Sequence, residues 1–169
     1  AQMAVQASLT GHLVLSTLHT NDAPSAVTRL LDLGVPHYLL ASTLNGVLAQ
    51  RLVRTLCPHC KRPASPLDDA DWAVLREPGE PLPALMQPHE PVGCLECRRT
   101  GYLGRVGLYE LLPVTPALRR LFHADMDLAS FSAGARADGM RTLRRAALEK
   151  VAEGLTTIEE VRAVLPPRE

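Results

Sequence analysis

The sequence predicts an α/β fold that carries a loop-rich cysteine insertion and closes in small helices. A short Val/Leu run behind a glycine, "HLVLSTLH", suits a buried strand. Apolar residues at helical spacing lie on either side of it. Two Cys-x-x-Cys pairs then bracket a stretch too rich in proline for long helices or central strands.

Along the chain, Ala1 to Leu9 reads as the end of a helix, with Met3, Val5 and Leu9 apolar and Gly11 breaking it. A chain that opens in a helical pattern is expected to be a fragment. After the predicted strand, Asn21 or Asp22 can cap a helix over Ala23 to Leu33, with Pro24 in its first turn and Gly34 as a left-handed stop. A second helix is expected from Pro36 to Ala49, with Leu39, Leu40, Thr43, Leu44, Val47 and Leu48 on its apolar face. "RLVRTL" alternates as a short strand should.

From Cys57 to Gly101, prolines at 58, 63, 66, 78, 81, 83, 88 and 91 and glycines at 79 and 93 leave room for one short helix, Asp69 to Leu75, contacting through Trp72 and Leu75. "GRVGLYELLPV", Gly104 to Val114, returns to strand character. Thr115-Pro116 opens a small helix and Asp127 caps another that ends near Gly139. Arg141 to Glu153 presents Leu143, Ala147, Leu148 and Val151 on one face, with Gly154 as its stop. In "TTIEE", Thr156 with Glu159 or Thr157 with Glu160 supplies a capping box, and Pro166-Pro167 closes the chain. Leu143, Leu148, Val151, Ile158 and Val161 are expected to pack together as a small helical subdomain. By motif, the chain divides into 1–56, 57–101 and 102–169.

At 169 residues and 46% hydrophobic content, the chain can bury a real core. Eighteen acidic residues offset eighteen basic ones, so no net field draws the molecule onto nucleic acid or an anionic membrane. Aromatic residues are also too few to track and stack bases. No apolar run approaches the roughly 18 residues of a membrane span, and the N-terminus lacks the features of a secretory signal. A cytosolic location without membrane insertion is the expectation.

Cys57-Pro-His-Cys60 and Cys94-Leu-Glu-Cys97 have the spacing of two knuckles that together offer four thiolates to one zinc ion. The long gap between the pairs lengthens a loop, whose entropic cost grows slowly. Structural zinc, worth on the order of 10 kcal/mol or more of folding free energy, would order a segment with little core. With all four positions filled by sulfur, no site remains open for zinc catalysis. Disulfides are disfavoured in a reducing cytosol, and a redox pair would explain one motif but not two. His59 reads as a solvated knuckle residue. Lys61, Arg62, Arg98 and Arg99 stand where they can offset the negative charge of four thiolates on a dication.

Functional groups of open α/β sheets gather at the carboxyl ends of strands, where "STLHTND" places Thr17, His19 and Thr20. The stretches "AVQASLTGHLVLSTLHTNDA", "LLASTLNGVLAQRLVRTLCPHC" and "GCLECRRTGYLGRVGLYELL" occur in this order. Together they resemble the type II secretion ATPases and the related type IV pilus assembly ATPases, from Ala1 to about Thr157. "QRLVRTLCPHC" favours the type II branch, general secretion pathway protein E.

The resemblance implies the C-terminal part of a RecA-like ATPase domain with a zinc-bound tetracysteine insertion. It implies ATP and magnesium as cofactors of the full-length protein, a homo-hexamer, and a cytoplasmic motor held at the inner membrane through its secretion-platform partners. Hydrolysis there drives pseudopilus assembly. "STLHTN" matches the family's histidine box, so His19 would polarise or sense the ATP γ-phosphate, with Thr17 and Thr20 in support. Arg105 in "GYLGR" would reach nucleotide or a neighbouring subunit, a solvated arginine being the other reading.

The chain departs from the family's pattern at the phosphate loop. A phosphate loop ends in Gly-Lys-Ser/Thr, and neither Lys61 nor Lys150 stands in that setting. The chain by itself is therefore expected not to hydrolyse ATP. The alternatives are a type IV pilus assembly role and a zinc-ribbon module that binds nucleic acid or a protein partner.

Overall fold

The computed structural model describes residues 1–77 and 87–165. The predicted breaks at Pro78, Gly79, Pro81 and Pro83 and the closing Pro166-Pro167 lie outside these residues. The described elements run α1 (Gln2–Leu9), α2 (Ala23–Asp32), α3 (His37–Thr43), β1 (Gly46–Leu56), β2 (Arg62–Pro63), α4 (Asp69–Leu75), β3 (His89–Glu90), β4 (Tyr102–Pro113), α5 (Pro116–Arg119), α6 (Leu128–Ala137), α7 (Leu143–Ala152) and α8 (Ile158–Val164). β1 pairs with β4, and β2 pairs antiparallel with β3 through Arg62 opposite Glu90 and Pro63 opposite His89. Backbone bonds from Val114 to Asn45 and from Cys57 to Gly101 flank the β1–β4 ladder and show it to be antiparallel.

The chain forms two compact units, Ala1–Ala49 with Glu110–Arg141 and Gln50–Tyr109 with Thr142–Glu169. Packing therefore groups the cysteine insertion with α7 and α8, and α5 and α6 with the N-terminal helices.

In the first unit, Asp22 caps α2 by accepting the Ser25 N–H at 2.8 Å, Pro24 occupies the first turn, and Gly34 ends the helix at φ +80°. Its buried Ala23, Ala26 and Val27 lie on a helix that packs against α6, which buries Phe131 and Ala135. Phe122 and Phe131 meet edge to face with ring centroids 5.4 Å apart. The Arg119 guanidinium donates to the carbonyls of Ala41 and Leu44 at the end of α3, satisfying acceptors the helix leaves open.

Two expectations are corrected here. The run "HLVLSTLH" forms no strand: residues 12–20 have no regular structure, and Leu13 and Leu15 are 79% and 88% exposed. A strand needs a neighbour to take its backbone N–H and C=O groups, and none pairs with this segment among the described residues. The helix expected over Pro36 to Ala49 stops at Thr43, and Gly46–Ala49 opens β1. The hydroxyls of Ser42 and Thr43 both bond back to the Leu39 carbonyl, and Leu44 turns to an extended backbone. At Gly46 a side-chain carbon would lie 3.2 Å from the Leu112 carbonyl oxygen, so glycine allows the close strand approach.

In the second unit, Trp72 and Leu75 of α4 are buried as expected, and α4 packs on α7. Leu143, Leu148, Val151, Ile158 and Val161 are buried too. The turn between α7 and α8 is tied to the end of β1: the Leu56 N–H donates to the Leu155 carbonyl at 2.8 Å and the Thr156 hydroxyl to the Arg54 carbonyl at 2.8 Å. Thr157, not Thr156, caps α8, accepting the Glu160 N–H. The Glu160 carboxylate receives the Arg54 backbone N–H at 3.1 Å and the Arg54 guanidinium, which lies 4.2 Å from the centre of the Tyr102 ring.

The hydrogen bond from Arg54 holds the Glu160 carboxyl below its ordinary range against the opposing effect of burial. A depressed carboxyl stabilises the fold above its unfolded pKa, and that contribution disappears as pH falls through the lowered folded value. Glu160→Gln is therefore expected to lower the thermal midpoint of the second unit at pH 7. Its deficit should close as pH falls through the carboxyl's lowered folded value, where the wild-type carboxylate also protonates. Thermal melts of both proteins between pH 7 and pH 3 check this, and a pH-independent deficit would sink it.

Candidate metal centre and histidine segment

The two knuckles stand where β1 ends and β4 begins. The Cys57 N–H donates to the Gly101 carbonyl at 2.9 Å, and the chain doubles back through N–H bonds from Cys60 and Lys61 to the Cys57 carbonyl. The second knuckle is closed by N–H bonds from Arg98 to Leu95, from Arg99 to Cys94 at 2.7 Å, and from Thr100 to Cys97. Arg98 and Arg99 take the left-handed region at φ 53° and 61°, the only described non-glycine residues at positive φ. Gly101 is required by space: at φ +79° a side-chain carbon would lie 2.3 Å from Pro91 Cβ.

This backbone brings the four predicted ligands together. Sγ of Cys57 lies 3.9 Å from that of Cys94, Cys60 3.8 Å from Cys97, and Cys94 3.7 Å from Cys97. All four sulfurs fall within 4.8 Å of one another. A metal bound tetrahedrally at about 2.3 Å from each sulfur needs sulfur–sulfur edges of about 3.8 Å, so the cage fits one ion. The spacing is far beyond the about 2.05 Å of a disulfide, and all four cysteines are free.

Backbone N–H groups point at the sulfurs, Gly93 to Cys60 at 3.3 Å, and Cys94 and Gly101 to Cys97 at 3.2 and 3.3 Å. Burial pushes the Cys57 thiol up to about 11. Burial also opposes ionisation of Cys97, but hydrogen bonds from the Cys94 and Gly101 amides, with those of the Cys94 and Cys60 side chains, bring it down to about 6. His59 is exposed, as expected for a solvated knuckle residue. Lys61 donates to the Gly154 carbonyl at 2.8 Å and Arg62 pairs with Glu90, whereas Arg98 and Arg99 are exposed.

The histidine segment belongs to the first unit. Thr17 and His19 are exposed on the extended stretch, and Thr20 is half-buried with its hydroxyl donating to the Asp22 carbonyl at 3.1 Å. Arg105 is exposed on β4 in the second unit. Sequence reasoning missed Glu110, 3% exposed, whose Oε1 accepts the Ala23 N–H at 2.7 Å. The signal was available: strand alternation places Glu110 on the same face as the fully buried Leu108 and Leu112.

Residues 1–163 match the family model described as "Type II/IV secretion system protein". The chain belongs to this family. It is 51% identical over 98% of its length to the type IV pilus assembly ATPase TfpB of Acinetobacter baylyi, covering 28% of that protein. It is 50% identical over 97% of its length to type II secretion system protein E of Pseudomonas aeruginosa, covering 32%. With type II secretion system ATPase E of Vibrio cholerae the identity is 47%, over 97% of this chain and 32% of the relative. The chain thus spans about a third or less of these relatives, and both branches match it at nearly equal identity. The structure resembles that of the pilus retraction motor PilT with bound ADP, at a TM-score of 0.61 and 23% identity, over 98% of this chain and 36% of PilT. That likeness establishes the expected α/β fold. Among the described residues, no helix is long and apolar enough to cross a membrane.

A cage of four thiols binds metal only by losing protons, so metal affinity is expected to rise with pH, most of all through release from the strongly protonated Cys57. Cys97→Ser, which replaces the sulfur that receives two amides, is expected to weaken metal binding at least about tenfold. Competition against a chelating dye from pH 6 to pH 8 reads both effects. A pH-independent affinity, or an undiminished one in the variant, would contradict this account.

Proposed function

We propose that this chain is the part of a cytoplasmic secretion ATPase that carries the histidine box and the metal centre. In the full-length protein, ATP hydrolysis with magnesium would drive pseudopilus assembly in type II secretion. The observation that carries the reading is the family match across residues 1–163, with the four cysteines gathered into one cage. The full-length protein acts as a homo-hexamer, peripheral to the inner membrane through its secretion-platform partners. The four cysteines hold structural zinc, which fixes the knuckles and leaves the ion no catalytic position. Assembly of a type IV pilus is the second reading, favoured by the 51% identity to TfpB.

In this reading the His19 imidazole donates a hydrogen bond to an oxygen of the ATP γ-phosphate, where negative charge must be held as the phosphoryl group transfers. A fixed donor there contributes to the transition state more than to ground-state binding. Thr17 and Thr20 support the imidazole with their hydroxyls, and Arg105 supplies a guanidinium to nucleotide or a neighbouring subunit. The exposure of Thr17 and His19 fits groups whose partners lie on a ligand rather than within the chain's own core.

Two measurements test the proposal. In the full-length ATPase, His19→Ala is expected to reduce kcat by roughly 10²-fold with a much smaller change in KM, the pattern of a lost transition-state donor. The 169-residue chain alone, without a phosphate loop, is expected to show no magnesium-dependent ATP hydrolysis. An unimpaired His19→Ala enzyme would remove the histidine from the mechanism, and turnover by the isolated chain would overturn the division of labour.

A further inference from the structure

Glu110 is an acid on a face that should be apolar. Its neighbours on the inward side of β4, Leu108 and Leu112, are fully buried, and Glu110 is only 3% exposed. A carboxylate taken from water is costly unless specific partners compensate for its lost hydration. One partner is at the start of α2: the Ala23 N–H, buried with no exposed surface, donates to Glu110 Oε1 at 2.7 Å. Ala23 is the first residue of α2, where N–H groups have no acceptor inside the helix and where negative charge is favoured. Asp22, one residue earlier, accepts the Ser25 N–H. Two carboxylates thus hold the same helix start, one local in sequence and one delivered by a strand 87 residues away.

The histidine segment runs directly into that start. Thr20 donates its hydroxyl to the carbonyl of Asp22, so its position depends on the residue that Glu110 and the cap hold in place. Upstream of Thr20, residues 12–19 have no ladder or helix to fix them. We infer that Glu110 is a positioning residue: its buried carboxylate anchors the first turn of α2 and so sets the register in which Thr17, His19 and Thr20 are presented. The link to catalysis rests on the role proposed above for His19; the anchoring does not. Water cannot replace the carboxylate, because the Ala23 amide is shielded from solvent, and an apolar residue at position 110 would orphan a buried donor.

The test uses the full-length ATPase and compares wild type with Glu110→Leu, which removes the acceptor, and Glu110→Gln, which keeps an acceptor oxygen but not the charge. Amide exchange across residues 19–25 is expected to accelerate at least about tenfold in the leucine variant and to stay within about threefold of wild type in the glutamine variant. With a loosened histidine segment, kcat is expected to fall at least about tenfold for leucine with little change in KM, and glutamine should recover most of it. A folded Glu110→Leu protein with wild-type exchange and wild-type kcat overturns the inference. If His19→Ala leaves kcat intact while Glu110→Leu still speeds exchange at 19–25, the anchoring is supported and the histidine's role is what fails. Should the leucine variant not fold, the glutamine variant decides: near-native exchange supports the acceptor role, and exchange accelerated more than tenfold overturns it.

Discussion

Backbone pairing between β1 and β4 is the constraint on which each functional region depends within its own unit. At one end, the Cys57 N–H bonds to the Gly101 carbonyl and sets the first knuckle beside the second. At the other, pairing between Asn45 and Val114 adjoins the stretch of β4 that carries Glu110 inward. A shift of one residue would exchange the inward and outward faces of β4. Leu108, Glu110 and Leu112 would then leave the buried face, and the two knuckles would lose their alignment.

The metal cage and the C-terminal helices share the order that this pairing creates. Around the knuckles, local rigidity comes from short backbone bonds, amides aimed at sulfur and four sulfurs at tetrahedral spacing. The turn between α7 and α8 is stitched to the same region by Leu56, Arg54 and Lys61. Lys61, adjacent to a ligand, uses its ammonium on the Gly154 carbonyl. Charge and backbone satisfaction therefore add to the apolar core of this unit, where Trp72 and Leu75 are also buried.

The histidine segment follows a different physical rule. Its apolar residues have the composition of a buried strand, and its polar end carries the groups the proposed chemistry needs. Its ordering comes from the helix that follows, where Asp22 and Glu110 hold the first turn of α2. Exposed Leu13, Val14, Leu15 and Leu18 are what a strand sequence looks like when its backbone has no neighbour.

Local chemistry was enough to read much of this protein from its sequence. The helix starts at Asn21 or Asp22, at Asp127 and at Thr156 or Thr157, the stops at Gly34 and Gly154, the buried Trp72 and Leu75, and the pairing of two Cys-x-x-Cys knuckles all follow from rules acting over a few residues. What depended on distant partners was decided only by the tertiary structure. The run "HLVLSTLH" has no ladder partner among the described residues, and a strand needs one. The helix after Pro36 ended at Thr43 because Gly46–Ala49 joins β1, whose ladder partner β4 begins more than fifty residues later in the chain. Glu110 was visible in the alternation of its strand, but its use was not, since the amide that makes a buried carboxylate tolerable comes from the start of a helix 87 residues earlier.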